Sequence, residues 1–173
     1  MKKIVMTIMI LSITSVAFSQ QVVSKYMDKF ENDETFTKVS ISSKMFSLFA
    51  EMEGSDEDEQ LFYDITSKLK GMKVIASEKV AKPKELFDGA VADVEKAGFE
   101  ELMMVKDAEE DVKISIIEKN GTISELILVA GGKEKFAMVS LYGEINLKEI
   151  SKLASLMRVN QLKYLENLDG AID

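Results

Sequence analysis

The sequence contains no cysteine and no histidine among its 173 residues. Without cysteine the chain has no disulfides, no thiolate nucleophile and no zinc–thiolate site. We also expect no lipid anchor of the bacterial lipoprotein type, because that anchor requires a cysteine at the cleavage site. Without histidine the chain lacks the commonest general base and every Ser-His or Cys-His nucleophile pair. Because no disulfide can form, the fold must be held by its core alone.

Positive charge is also scarce. The chain has 22 Lys and Arg residues against 30 Asp and Glu residues, which gives a net charge of −8. The basic residues are scattered among the acidic ones, so no basic stripe is available to neutralise a nucleic-acid backbone. The excess of acidic residues also disfavours binding to anionic lipid. We therefore predict that nucleic acid is not a partner, and we interpret the negative charge as a source of solubility.

The first 19 residues have the pattern of a secretory signal peptide. Lys2 and Lys3 form a basic n-region, residues 4–16 form a short apolar core, and Ala17-Phe18-Ser19 places small residues before the cleavage point. The apolar run is shorter than the ~20 residues that a membrane span needs. We therefore predict cleavage near Ser19 and a periplasmic or secreted mature chain that begins at Gln20 and has no membrane span.

The N-terminal half of the mature chain alternates between helix and strand patterns. Apolar residues recur with a period near 3.6 in four segments, which predicts helices. Gly71 is predicted to end the third helix as a left-handed C-cap, and Gly98 is predicted to end the fourth, whose first position suits Pro83. The predicted helices span 22–30, 45–52, 61–69 and 83–97, and the predicted strands span 36–42 and 72–77.

After Gly98 the pattern becomes that of strands. Four segments are rich in β-branched and apolar residues, and Asn120-Gly121 between the second and third is the strongest short-range hairpin signal. Gly131-Gly132 predicts another tight turn. The last two strands are apolar on both faces, so we place them at the centre of the sheet. The four strands, which we expect to form an antiparallel meander, span 99–107, 110–119, 122–130 and 135–143.

These patterns predict one α+β domain over residues 20–157. It contains a sheet of five to six strands, with an antiparallel meander in the C-terminal half, packed by four to five helices. Residues 158–173 are predicted to form a C-terminal tail or an extension of the last helix.

The stretch from Ser140 to Ser151 has the layout of a strand, a glycine and a helix. That layout is shared by phosphate cradles and by ordinary capped helices. A phosphate cradle needs several glycines and a lysine or hydroxyl at the helix start. Here Gly143 stands alone and is followed by Glu144, whose charge repels phosphate. We therefore predict that the strand ends at Gly143 and that Asn146 and Glu149 form a variant capping box.

Metal and cofactor sites are not predicted. Residues 55–59 read Ser-Asp-Glu-Asp-Glu, but a calcium loop that starts at Asp56 would have Gln60 and Leu61 at its fifth and sixth positions. Acids at that place suit the first turn of a helix instead. The eight methionines after residue 19 fall in apolar patterns, which favours core filling over copper binding.

No catalytic residue is predicted either. Ser67 and Lys70 have the spacing of a Ser-x-x-Lys motif, but they stand at the end of a helix and the partner motifs are absent. Glu109, Glu110 and Asp111 fall in a predicted hairpin turn, where solvated charge is the default. We predict that the protein is not an enzyme, although paired carboxylates could still support hydrolysis.

Four segments in a fixed order behind the leader carry a family resemblance. They are residues 37–49, 98–107, 123–132 and 139–154, the last of which is a strand followed by Gly-acid-Ile-x-Leu and a helix. The chain resembles domain-of-unknown-function family 4252, small secreted or lipid-anchored proteins of Bacteroidota. The resemblance implies an envelope location and an association with envelope-stress regulation, and it brings no known activity or catalytic residue.

Three functional hypotheses follow. The leading one is a non-enzymatic interaction or accessory protein of the bacterial envelope, with a protein partner whose identity is open. The second is a carrier of a small ligand or lipid, with residues Met45–Met52 as a mobile lid over a cavity beneath Phe46 and Phe49. The third is a hydrolase that uses two carboxylates. The sequence leaves the oligomeric state open.

We predict that residues 1–19 are absent from the mature protein. The reason is the basic n-region, short apolar core and small residues before the cleavage point. N-terminal sequencing of protein isolated from its native host should read Gln20 or an immediate neighbour. An intact Met1 would refute both the processing and the periplasmic location.

Overall fold

The computed structural model describes residues 21–50, 57–119 and 121–148. These residues form four helices and six strands, and Leu147 and Lys148 begin a further helical turn. The predicted α+β class is confirmed. The helices are α1 (Gln21–Lys29), α2 (Ser43–Ala50), α3 (Glu57–Ser67) and α4 (Pro83–Lys96); the strands are β1 (Thr37–Ser42), β2 (Leu69–Ser77), β3 (Glu100–Lys106), β4 (Glu110–Lys119), β5 (Thr122–Gly132) and β6 (Phe136–Ile145).

All six strands belong to one antiparallel sheet with the order β1-β2-β6-β5-β4-β3. The predicted meander of β3 to β6 is confirmed, and so is the central position of β5 and β6. The N-terminal strands join the sheet through β2, which pairs with the outer side of β6. Strands β1 and β3 are therefore the two edges of the sheet.

Apolar clusters cover both faces of this sheet. On the first face, α1 contributes Val23 and α4 contributes Phe87 and Val94 to a buried cluster. On the second face, Phe46 of α2 and Ile65 of α3 belong to a separate buried cluster. The central strand β5 supplies both clusters from alternating positions, the even-numbered residues from 126 to 130 to the second face and the odd-numbered residues between them to the first. This two-sided burial explains why β5 reads as a continuous apolar run rather than an alternating one.

The predicted hairpin at Asn120-Gly121 is confirmed by the strand register. Lys119 pairs with Thr122, so two residues connect β4 to β5. Gly121 has φ of +80°, the conformation that this turn requires of it. Asn120 itself lies outside the described residues. Gly98, which the sequence predicts to end this helix, follows α4 and has φ of +87°.

The predicted role of Gly71 as a helix C-cap is wrong. Helix α3 ends at Ser67, and Gly71 lies inside β2, where it pairs with Tyr142 of β6. A Cβ atom at Gly71 would collide with the Tyr142 ring. The glycine is therefore explained by a close approach between neighbouring strands. From the sequence alone, such a glycine cannot be distinguished from one that ends a helix.

The predicted turn at Gly131-Gly132 is also wrong. Strand β5 continues through both glycines, and the connection to β6 is made by residues 133–135, with the Gly132 N–H donating to the Lys135 carbonyl oxygen at 2.9 Å. A Cβ atom at Gly131 would lie 2.8 Å from the Cβ atom of Phe87. The absence of a side chain thus lets α4 pack closely against β5.

Helices α1 and α4 are joined by a polar contact that the sequence does not reveal. The Tyr26 hydroxyl donates to Asp93 Oδ2 at 2.9 Å, and the Lys25 ammonium donates to the same oxygen at 2.7 Å. The hydrogen bond from Lys25 is the largest of the effects that hold the pKa of Asp93 below its usual range. Burial, together with the neighbouring Asp93, raises the pKa of Tyr26. The contact fixes the two helices side by side on the first face.

Lys113 of β4 is a buried cation on the same face. Its side chain is 5% exposed, and its ammonium lies 2.5 Å from Glu95 of α4 and 2.9 Å from Glu101 of β3. Burial lowers the pKa of Lys113, but the hydrogen bonds to the two acids outweigh it, so the pKa lies above its ordinary value. The two carboxylates are about half exposed. This ion pair ties α4 to the β3 edge.

The hairpin assignment predicts the cost of substituting Gly121. Gly121→Val should lower the free energy of unfolding by at least about 1 kcal/mol, because a Cβ atom is disfavoured at positive φ and a β-branched one most of all. An added Cβ atom would meet no atom within 4 Å, so the cost would come from backbone conformation alone. Urea unfolding measures it. Gly89→Ala is the control, since this helical site has room for a methyl group and should gain up to about 1 kcal/mol. A neutral Gly121→Val would contradict the assignment.

The buried ion pair predicts a second effect on stability. Glu95→Gln combined with Glu101→Gln leaves the Lys113 ammonium buried without a carboxylate. It should lower the free energy of unfolding by roughly 2–3 kcal/mol, less than for a fully buried pair because solvent screens both acids. Lys113→Met, which keeps the stem and removes the charge, should stay within about 1 kcal/mol of wild type.

The pH dependence of the same pair has a definite sign. Because the folded-state pKa of Lys113 is raised, the stabilisation that its charge contributes is complete below the unfolded-state pKa of ~10.4. That stabilisation is lost as the pH rises through the folded-state pKa. The stability of wild type relative to Lys113→Met should therefore fall on alkaline titration. A double glutamine variant as stable as wild type would show that the pair carries no net stabilisation.

Candidate functional site

A groove of about 400 Å³ lies where the β4–β5 hairpin meets the end of β6. Its apolar lining comes from the strands β3, β4, β5 and β6 and from the turn that follows β6. Charged residues of both signs also line it. The apolar residues are Leu102, Ile116, Ile123, Ile145 and Leu147, and the charged residues are Lys68, Glu118, Glu144 and Lys148. The groove can therefore receive an apolar group while offering both cations and anions at its edge.

The end of β6 builds one wall of this groove. Gly143 does not end the strand, contrary to the sequence prediction, because β6 continues to Ile145. Gly143 has φ of +149°, and a Cβ atom there would lie 2.6 Å from the Lys68 carbonyl oxygen. The Glu144 N–H donates to that same oxygen at 3.0 Å. Gly143 is therefore a close-approach glycine that docks β6 on the start of β2.

The capping interpretation of Asn146 is supported by the residues that the structure describes. Its Oδ1 atom accepts a hydrogen bond from the Lys148 N–H at 3.0 Å, which is the contact that an N-cap makes. Glu149, the second member of the predicted capping box, lies outside the described residues. The side-chain oxygen of Asn146 thus accepts a backbone N–H bond at the helix start.

The groove also brings two carboxylates, Glu118 and Glu144, to one rim. Paired carboxylates are the arrangement that a hydrolase hypothesis requires. Lys68 and Lys148 also line the groove, however, so cationic residues accompany the two acids. The arrangement suits binding of a molecule with both charges at least as well as acid–base chemistry.

A polar pair, Ser140 and Glu125, is buried inside the sheet. Ser140 of β6 donates to Glu125 Oε1 of β5 at 2.7 Å, and the two residues are 1% and 2% exposed. Sequence reasoning missed this pair, although Glu125 interrupts the apolar run of β5 and could have marked it. Because both side chains are enclosed, neither can contact a substrate in this conformation. The hydrogen bond satisfies the serine hydroxyl and one carboxylate oxygen in the core.

The sequence motifs with possible chemistry are not brought together. The Ser67 hydroxyl donates to the Asp64 carbonyl oxygen at 2.8 Å within α3, whereas Lys70 belongs to β2. Helix α3 begins at Glu57, so the acids of residues 57–59 occupy its first turn as predicted. Ser55 and Asp56 lie outside the described residues. Within the described parts of the chain, no group of three or more acids could hold a metal ion.

The acids after β3 are placed differently from the prediction. Asp107 forms the turn by accepting the N–H groups of Glu109 and Glu110, and these hydrogen bonds hold the pKa of Asp107 below its usual range. Glu110 and Asp111 are part of β4, as the strand predicted over 110–119 has them, and the alternative placement of these two acids in the turn is wrong.

The methionines divide between core and surface. Met138 is completely buried and supports the core-filling prediction, but Met45 is 45% exposed and does not. Met52 and Met157 lie outside the described residues. Leu48, one helical turn after Met45 on α2, is 46% exposed, and Val39 on β1 is 38% exposed. These are the exposed large apolar side chains of the described chain, and we call Val39, Met45 and Leu48 the β1–α2 surface.

The β1–α2 surface is also distinguished by charge. The stretch of residues 35–50 contains no Asp or Glu, although the whole chain has 30 such residues. Its charged residues are Lys38 and Lys44. An acid-free stretch that exposes three apolar side chains, on a chain of net charge −8, makes the β1–α2 surface a candidate contact surface.

Comparison with known proteins gives one match. A family model described as "Domain of unknown function (DUF4252)" covers residues 26–153. No curated protein and no solved structure matches the chain. In the described portion of the chain, no helix has the length and apolar character needed to cross a bilayer.

Proposed function

This chain belongs to the DUF4252 family, and on that premise we propose that it is a secreted, non-enzymatic interaction protein of a Bacteroidota envelope. The leader pattern of residues 1–19 supports export. The protein acts by presenting a surface to another protein rather than by converting a substrate. Its role is that of an accessory component in the envelope.

The observation that carries this proposal is the β1–α2 surface. Met45 and Leu48 are nearly half exposed, although the same short helix buries Phe46 in the core. Exposing these three large apolar side chains has no benefit for the fold itself, because each would gain free energy by burial. The exposed side chains are explained by contact with a partner protein.

The chemistry of the chain also favours binding over catalysis. The sequence has neither histidine nor cysteine, so an enzyme would have to rely on carboxylates, hydroxyls and lysines. The hydroxyls of Ser67 and Ser140 are committed to Asp64 and Glu125 respectively. Neither of these two serines contacts a lysine in the hydrogen bonds that the structure gives. The Ser–Lys contact that it does give is at Ser24, whose hydroxyl accepts a hydrogen bond from the Lys73 ammonium at 2.6 Å.

A second candidate function, a small-ligand carrier, is favoured by the groove at the end of β6. Its volume of about 400 Å³ falls in the range of small-molecule sites. The lid version of this hypothesis is not favoured, because Phe46 packs in the core with Ile65 instead of covering a cavity. Mass spectrometry under native conditions, on protein taken from its host, would reveal a bound small molecule. Loss of that molecule in Leu147→Lys, at a half-buried position of the groove wall, would support the carrier.

The interaction function is tested by cross-linking in the native envelope followed by identification of the captured protein. Met45→Lys combined with Leu48→Lys places two charges on the β1–α2 surface without touching the core. Recovery of the identified partner should fall at least about tenfold, since charged groups at the centre of an interface are strongly disfavoured.

The matched control adds the same charge elsewhere. Ala92→Lys combined with Ala108→Lys changes two exposed alanines, one on α4 and one in the β3–β4 turn, and should leave recovery unchanged. Equal recovery from wild type and from the Met45/Leu48 variant would refute the β1–α2 surface as the binding site. Absence of any cross-linked protein in the wild-type envelope would refute the interaction function.

A further inference from the structure

We propose that the β1–α2 surface recognises a second copy of this chain, which adds its own β1 strand antiparallel to the first across a two-fold axis. The inference rests on the proposed interaction function and names the partner. The product is one continuous sheet of twelve strands, six from each copy.

The backbone of β1 is suited to pairing with another strand. Its six residues pair with β2 in a regular register without a bulge, and no other strand of the described chain lies on its outer side. An edge of this kind presents a row of N–H and C=O groups that match an incoming strand. The opposite edge, β3, is protected by a bulge between Glu101 and Met103 and by its exposed acids. Among the described strands, only β1 leaves its outer backbone N–H and C=O groups available to another strand.

Lys38 does not block this edge. A lysine on an edge strand commonly discourages pairing by projecting its charge outwards. Here the Lys38 ammonium donates to the carbonyl oxygens of Phe30, Glu31 and Asp33 at 2.7, 3.2 and 3.2 Å. Its charge is thus held by three carbonyl oxygens of the segment that precedes β1 and is not free to project from the edge.

Two-fold symmetry places the exposed apolar residues together. When a strand pairs antiparallel with its own copy across a two-fold axis, each face of one sheet continues as the same face of the other. Val39 lies on the second face, since it alternates with Lys38 in the same way as Ile41, which packs on that cluster. It therefore meets Val39 or Ile41 of the second copy, depending on whether Val39 or Ser40 lies on the axis. Helix α2 packs on the same face through Phe46 and exposes Met45 and Leu48.

Charge is compatible with a second copy at this surface. Two chains of net charge −8 repel each other wherever acidic surfaces meet. An isologous interface sets every residue near the axis against its own copy, so acids there would face acids. Residues 35–50 contain none, whereas pairing through β3 would bring Glu100 and Glu101 against their copies. The β1–α2 surface is therefore compatible with itself.

Sedimentation velocity on protein expressed from the complete sequence tests the association. Wild type should dimerise as its concentration rises from about 1 to about 100 µM, the affinity that a small interface supports. Val39→Lys sets two like charges near the axis and should raise the dimer dissociation constant at least about tenfold. Ala108→Lys, an alanine-to-lysine change in the exposed β3–β4 turn, is the control and should dimerise like wild type. Circular dichroism melts would confirm that both variants fold.

The absence of cysteine from the chain gives a second test that reports geometry. Directly opposed residues of antiparallel strands are close enough for a disulfide. Val39→Cys should cross-link if Val39 lies on the axis, and Ser40→Cys should cross-link if Ser40 does. Glu100→Cys on the β3 edge should stay monomeric under the same oxidation.

Several outcomes would overturn self-pairing. They are a wild type that stays monomeric, a Val39→Lys variant that dimerises as well as wild type, and failure of both cysteine variants to cross-link above Glu100→Cys. A monomer that binds lipid vesicles through Val39 would assign the surface to a membrane and also overturn the proposal. If the purified chain is monomeric while an identified envelope protein is still captured through Met45 and Leu48, self-pairing fails and the interaction function stands.

Discussion

The constraint on which the structure depends is the burial of β5 and β6 on both faces. These two strands carry apolar side chains at consecutive positions, so a single covering layer would leave half of them in water. The observed solution places α1 and α4 on one face and α2 and α3 on the other, with the remaining strands added at the flanks. Other features serve this arrangement: the Tyr26–Asp93 contact holds two helices together, and Gly131 lets α4 approach the sheet.

The sequence predicts the elements of this fold well because their signals are local. The hairpin at Gly121, the start of α4 at Pro83 and the central position of β5 all follow from short-range turn chemistry and from continuous apolar runs. The pairing of β2 with β6 is not encoded in any such signal, since its partners are distant in the chain. The connection between the N-terminal and C-terminal halves therefore emerges only from the structure.

The glycines show why the candidate site is less predictable than the fold. The sequence predicts that Gly71, Gly131 and Gly143 each end a helix or strand. Each of them instead lies inside a strand, where another residue approaches closely. A glycine that ends an element and a glycine that makes room for a neighbour are identical until the neighbour is known. The same holds for surface function: the apolar residues of α2 read as core, and only the packing shows that Phe46 is buried while Met45 and Leu48 are not.

The sheet order has a consequence for how the chain reaches its folded state. Strand β2 lies between β1 and β6, and its partners from Leu69–Gly143 to Ser77–Phe136 are 74 to 59 positions apart. Closing such a loop costs entropy before the contact can stabilise anything, so chains with distant pairings fold slowly. While β6 is absent, β2 has only β1 beside it, and a two-stranded unit of that kind is marginal in water. A nascent chain that has not yet released residue 145 therefore lacks a central strand, and β2 cannot take its final place in the sheet until that strand has been made.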